Sequence, residues 1–322
     1  MKRTLLVLGV CFTVSRAAVA SSLWDRVRDP NTRRNESAMV EALRARTPTD
    51  IPPDVVEMAP EFESLLALRA ATVLEMRGGA ALHDPEISYF LGDALVTADR
   101  GRDEDARNVL LSAIAMDPSS PETARAWFDI AIASNRLHEF DRERQAYDEA
   151  LRVEWDGNKR AGIYMNRGEA SMSLGDLTLA ERDYRIALAT TDESEIHALA
   201  AWGLAVALAR DEDLPDALKF AYEASQMTFR EPGGRTISAL ELPGVFFTPD
   251  YEVLYYRALA EMAIADKSTD EKIRKPALER ALADFREYIL RGKDHGDRWL
   301  ANAEFHRTWA ERRLRDGKRK AR

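Results

Sequence analysis

The sequence predicts an all-α solenoid: stacked antiparallel helix pairs closed by a C-terminal capping helix. Composition is the first reason. Apolar residues make up 45% and charged residues 31% of the chain, Ala, Leu, Arg and Glu are plentiful, and runs of Val, Ile and Thr are rare, a balance that favours helices over strands. An internal echo is the second. A small residue in one helix is followed in the next by Ala, then an aromatic or Leu, then Ala. The copies are Gly92 with Ala106, Leu110 and Ala113; Ala131 with Glu143, Tyr147 and Ala150; Gly168 with Ala180, Tyr184 and Ala187; Gly203 with Ala217, Ala221 and Ala224; and Ala258 with Ala281, Phe285 and Tyr288. Recurrence every roughly 34–40 residues, built from two helices, is the mark of a solenoid, and solenoids are usually binding surfaces. The third reason is that Pro, Gly and Asx breaks fall where helices should turn: at Arg100-Gly101, Asn135-Arg136, Leu174-Gly175-Asp176 and Asp213-Leu214-Pro215-Asp216 inside the pairs, and at Asp117-Pro118 between them.

The N-terminus reads as a separate object. Lys2 and Arg3 precede the apolar run Leu5 to Val14, followed by Arg16 and Ala18-Val19-Ala20. This is the n-region, h-region and A-x-A site of a secretory signal peptide, cleaved after Ala20. The apolar run is about half of what a membrane-spanning helix needs. The alternatives are an uncleaved anchor and lipid attachment at Cys11, and the branched Val10 before Cys11 argues against the second. Cleavage removes the only cysteine, so the mature chain has no disulfide and no thiolate ligand. It also removes three basic residues and no acid, moving the formal charge from -9 to -12. So acidic a chain is a poor nucleic-acid binder, since phosphate contacts need excess Lys and Arg. No other stretch is apolar for long enough to span a membrane, so the mature chain is expected to carry no integral membrane segment.

Residues 21–58 read as irregular, broken at Asp29-Pro30-Asn31, Thr47-Pro48 and Pro52-Pro53, with a short helix at about 35–46. The array is expected over 59–228. Phe62, Leu65, Leu66, Arg69, Val73 and Met76 share a helix face that stops at Gly78-Gly79. Asp84-Pro85 then opens the first complete pair, with Asp as N-cap and Pro in the first turn. Its partner helix starts near Asp103. The second pair opens at Ser120-Pro121-Glu122, the third near Lys159 with a turn at Leu174-Gly175-Asp176, and the fourth near Glu195 with a turn at Asp213-Leu214-Pro215-Asp216. Residues 229–250 interrupt the array without helical period, starting at Pro232-Gly233-Gly234. They lead into Phe246, Phe247, Tyr251, Tyr255 and Tyr256. A last pair and a capping helix are expected over 251–315, the cap carrying Trp299, Ala303, His306 and Ala310 on one stripe. A basic, unstructured tail follows at 316–322.

The stretch Ser171 to Leu188, with Leu174-Gly175-Asp176, Ala180, Tyr184 and Ala187 in place, closely resembles the tetratricopeptide repeat. Pro118 stands at that family's terminal proline, and Trp127 at its first signature position. Glu143 departs from the pattern, where a small residue is usual. The resemblance covers about 85–228 well and 250–290 weakly. It implies a right-handed superhelix with the first helix of each pair lining the concave side. The inward positions would be Tyr89, Asp93 and Val96, then Arg125, Phe128, Ile132 and Asn135, then Met165, Glu169 and Met172. Such a mixture suits an apolar or amphipathic peptide, although the same residues can equally pack as core. A Lys/Asn clamp for a peptide carboxylate, found in co-chaperone members of the family, is not carried over, because Asp93 and Glu169 would repel it.

No catalytic constellation stands out. His83, His138, His197, His295 and His306 form no H-E-x-x-H or paired i, i+4 arrangement. Phosphate-binding and nucleophile-elbow motifs are absent from the sequence, and the acidic run Asp99 to Asp105 lacks calcium-loop spacing. Neither enzyme activity nor a metal or cofactor is expected. From Asp84 to Asp156 there are 17 acidic and 8 basic residues, which would steer a basic or neutral partner toward this half. The aromatic insertion, with Phe246 and Phe247 as candidate partner contacts, can fill a gap between pairs, plug the groove or form a docking patch. The function expected is a non-enzymatic adaptor of the cell envelope, exported to a periplasm and binding a protein or peptide, with self-association also open. The alternative is a small-molecule or glycan-binding module, or a rare solenoid enzyme, with 237–256 as pocket wall.

Overall fold

Asp84 starts the first described helix by accepting the Ser88 amide at 3.0 Å, where an Asx-Pro pair is expected to begin one. The structure is a computed structural model and describes residues 7–8, 83–98, 101–230, 234–242, 245–247 and 249–320. The leader other than Val7–Leu8, the segment 21–58 and the helix expected from Phe62 to Met76 lie outside the described residues. Two units divide between Val153 and Glu154, with residues 1–11 grouped in the second.

The first unit holds two helix pairs: α1 (Pro85–Ala98) with α2 (Asp103–Met116), and α3 (Thr123–Arg136) with α4 (Phe140–Val153). Each helix packs on the next, and the first helices α1 and α3 also touch each other. The second unit begins with α5 (Gly157–Leu174), α6 (Leu177–Thr190), α7 (Ser194–Arg210) and α8 (Leu214–Gln226) in the same arrangement. Aspartates set the starts. Asp156, Asp176 and Asp213 cap α5, α6 and α8 by accepting the amides of Lys159, Leu179 and Asp216. Gly175 ends α5 at φ +86°, the left-handed turn only glycine takes without strain.

The echo is a packing code. Ala106, Ala113, Ala131, Ala150, Ala180, Ala187, Ala217, Ala221 and Ala224 are all fully buried. Leu110 fills the space left by the missing side chain of Gly92. Tyr184 is wedged between two glycines: a Cβ on Gly168 would sit 3.1 Å from its ring, and one on Gly203 would overlap it. Tyr184 therefore ties its own pair to the next, as the pattern implied. Glu143, the departure from the pattern, is buried and accepts a 3.0 Å hydrogen bond from Asn135 across the pair.

After α8 the direction changes. Strands β2 (Thr228–Arg230) and β3 (Thr236–Ser238) form an antiparallel hairpin with Phe229 opposite Ile237. A 3-10 turn, Ala239–Glu241, packs on α7. The short strand β4 (Val245–Phe246) follows, paired with β1 (Val7–Leu8). The chain then enters α9 (Glu252–Lys267) beside the C-terminal end of α7, where Arg210 reaches Glu252 at 2.8 Å. Trp202, farther back along α7, lies beside Tyr256, farther on along α9. Lys267 at the end of α9 lies over Tyr222 near the end of α8. Helix α9 thus runs antiparallel to α7 and parallel to α8, the reverse of a regular next pair. In the regular pairs first helices run parallel: Asn158 at the start of α5 binds Asp192 just before α7. The insertion has carried the chain back along α7, inverting the last pair. The fifth echo still packs, with Ala258, Ala281, Phe285 and Tyr288 fully buried.

Helix α10 (Glu271–His295) returns, and α11 (Leu300–Lys320) caps it. Ala303, His306 and Ala310 of the expected stripe are fully buried, and Ala310 packs with Ala277, Leu278 and Leu282. Trp299 stands just before the helix. Residues 316–320, expected in an unstructured tail, continue α11. The sequence there has no glycine or proline after Gly317 to stop it.

Candidate functional site

The residues proposed to face a partner are mostly spent on holding the pairs together. Tyr89 is buried, and its hydroxyl donates to the Asp117 carbonyl at 2.7 Å and lies 3.1 Å from Thr123 Oγ1. Phe128 packs edge-on against Tyr147, with centroids 5.7 Å apart. Ile132, Met165 and Met172 are buried, and Asn135 turns toward Glu143 rather than outward. For these the core reading holds. Small residues draw the helices so close that a side chain one position off the contact line is still covered.

Asp93 and Arg125 do come together. Arg125, with a side chain 37% exposed, bonds Asp93 across the first helices at 3.0 Å and Asp129 on its own helix at 3.0 Å. Burial pushes the Asp129 carboxyl up to about 7, with Arg125 opposing and Asp93 adding to the rise. This acid–base–acid cluster is the partly open polar feature of the first-helix side in the first unit.

In the second unit the first helices α5, α7 and α9 meet around a larger buried polar cluster. Glu169 accepts the Tyr184 hydroxyl at 2.8 Å. Burial drives its carboxyl up to about 8, against the pull of the Tyr184 hydrogen bond and Arg210. Arg210 is buried, pairs with Glu252, and lies over the rings of Trp299 at 4.7 Å and Tyr255 at 5.2 Å. The Tyr288 hydroxyl donates to Asp297 at 2.6 Å and lies 3.2 Å from Glu252. Tyr255 meets His306 Nδ1 at 3.0 Å, and burial holds the His306 imidazole down at about 4. Among the described residues, four buried polar atoms here have no hydrogen-bond partner: Trp202 Nε1, the Tyr256 hydroxyl, Arg210 Nε and His306 Nε2.

The insertion borders this cluster. Phe247 lies edge-on to Tyr256, with centroids 5.3 Å apart, and the 3-10 turn rests on α7. Phe246 supplies backbone to β4. Insertion and cluster therefore form one feature, which covers α7 and reaches α9. Of its residues, the sequence offered only Glu169, Phe246 and Phe247 as candidate partner contacts. The signal it could have used lies in α7: residues 198–209 carry no charged side chain, and a helix apolar all round must be covered all round.

Among the described residues, no group of three or more His, Cys, Asp or Glu could hold a metal ion. No described helix is long and apolar enough to cross a membrane.

A family model for the tetratricopeptide repeat matches residues 91–159 and 164–227. No curated protein matches the chain. Solved structures similar to the chain include two that span most of it. The APC/C hetero-tetramer Cut9–Hcn1 aligns at TM-score 0.48 and 16% identity, over 79% of this chain and 46% of that one. The human IFIT1 dimer with m7Gppp-AAAA aligns at TM-score 0.41 and 15% identity, over 78% of this chain and 54% of that one. The chain thus spans about half the length of the structures it matches. The helix pairing itself, rather than these likenesses, defines the fold.

Proposed function

With residues 91–159 and 164–227 making this chain a tetratricopeptide-repeat protein, we propose that it is a non-enzymatic adaptor that docks a protein segment on its first-helix side. Repeats of this kind commonly mediate protein–protein contacts. The observation that carries the reading is the direct contact of the first helices α1 and α3 in the first unit. Side-by-side first helices form a surface that no single pair provides. On that surface Arg125, Asp93 and Asp129 offer a partly open charged group to a polar or basic segment.

We place the adaptor in a bacterial cell envelope because Lys2, Arg3, the apolar run Leu5 to Val14 and Ala18-Val19-Ala20 have the form of an export signal. An N-terminus at Ser21 in protein recovered from the periplasm supports export, and an intact Met1 in the cytoplasmic fraction overturns it.

A photo-crosslinking amino acid at Arg125 should give a discrete adduct in cells, and the same probe at Leu290, 63% exposed on α10, should not. Equal adducts from both positions, or none from Arg125, overturns the docking reading.

A further inference from the structure

Helix α11 has two unlike faces. Ala303, His306 and Ala310 are buried on one side, with Leu314 packed on the same core as Ala310. The opposite stripe, at spacings of three and four, is Ala301, Phe305, Thr308, Arg312 and Arg315. Phe305 is 55% exposed, and Ala301, Arg312 and Arg315 are exposed as well. On the flanks Arg307 pairs with Glu304 and Glu311, and Arg313 with Asp266. Arg312 and Arg315 have no ion pair among the described residues. The helix runs on to Lys320. Residues 312–322 hold seven basic residues and one acidic, a net of +6 against -15 for the rest, which together make the chain's -9. Positive charge is thus gathered at one end of one helix, in line with an exposed aromatic ring.

We propose that the outward stripe of α11, with the basic residues that follow it, binds the surface of an anionic phospholipid membrane. The arginines take the headgroup phosphates and the Phe305 ring enters the layer beneath them. The stripe is a ridge. It offers a peptide no groove, but it can lie along a plane of headgroups for about 15 Å from Phe305 to Arg315. Clusters of about four to eight Lys and Arg on an amphipathic helix are drawn to anionic lipid. A ring on the same face adds the buried apolar area that charge alone lacks. An acidic protein surface would engage the arginines and leave Phe305 in water. At physiological salt a charge is felt over about 8 Å, so a membrane touched by this end meets the basic residues and little of the acidic remainder. The inference goes beyond the adaptor reading and uses neither the Arg125 cluster nor the leader, so either can fail while the other stands.

Sedimentation of the full chain with lipid vesicles tests this. Vesicles of phosphatidylcholine are compared with vesicles of equal parts phosphatidylcholine and phosphatidylglycerol. The leader contributes alike to every variant, so the readout is the ratio of anionic to neutral binding. The wild type should favour the anionic vesicles. Arg312→Gln together with Arg315→Gln removes two exposed charges and should lower the ratio about tenfold or more. Phe305→Ser should weaken anionic binding several-fold in high salt, where charge is screened and the ring's contribution remains. All three positions are exposed, so thermal melts should match the wild type, which separates lost binding from lost fold. Equal binding to both kinds of vesicle, or a wild-type ratio in the double variant, overturns the proposal. Unchanged binding by Phe305→Ser also overturns it, because charge alone would then account for the attraction. Salt-sensitive self-association that the double variant loses, without vesicle binding, gives the stripe to a second copy of the chain and overturns it too.

Discussion

Glu169→Gln tests the buried cluster through its pH dependence. The Glu169 carboxyl is fully buried, and its folded value stands at about 8 against an ordinary 4.5. The folded state therefore holds a proton that the unfolded chain releases above pH 4.5. Stability from this group is complete below pH 4.5 and is lost as pH rises toward 8. At 1.36 kcal/mol per unit, the loss reaches about 3 kcal/mol at pH 7 and about 5 kcal/mol above pH 8. Glutamine keeps an acceptor for the Tyr184 hydroxyl and has no proton to lose. Urea unfolding of both proteins at a series of pH values yields the difference directly. Other buried acids, such as Asp129, are common to both proteins and cancel. Glutamine can add a constant penalty for its buried amide, so the slope is what counts. The variant should gain on the wild type by about 3 kcal/mol between pH 4.5 and 7. A flat difference, or one that falls with pH, would refute the assignment of a buried, proton-holding Glu169.

Gly203→Ala should destabilise the protein by about 1–3 kcal/mol through overlap with Tyr184. Gly157→Ala, whose new methyl would meet only Thr190 at 3.7 Å, should be close to neutral; thermal melts compare the two. Arg210→Met should cost about 3–5 kcal/mol by leaving the buried Glu252 charge without its cation. Adding Glu252→Gln to Arg210→Met should recover most of that loss in denaturant unfolding, and an additive double mutant contradicts the pairing.

The regular pairs were readable because their packing is local. Ala180, Tyr184 and Ala187 specify how one helix sits on its neighbour, and Asp156, Asp176 and Asp213 mark where helices start. The insertion was readable as a break and no further. Thr228–Arg230 and Thr236–Ser238 are too short for a period-two pattern, so β2 and β3 carried no strand signal. The inward residues of the first helices were named in register, with partner contact and core packing both left open. Met165 and Met172 are core, and Asn135 serves Glu143.

By itself the sequence determined the helix pairs, their small-residue seams, their caps and the position of the interruption, because each depends on residues within about two helical turns or one neighbouring helix. Only the tertiary structure decided the direction of the last pair. The echo Ala258, Ala281, Phe285 and Tyr288 encodes how two helices touch and is blind to which way they run against α7. The buried cluster was likewise decided in three dimensions. Arg210 and Glu252 lie 42 residues apart, and either alone reads as a solvated charge. Inverting the last pair brings the end of α7 against the start of α9, and that juxtaposition buries both charges together.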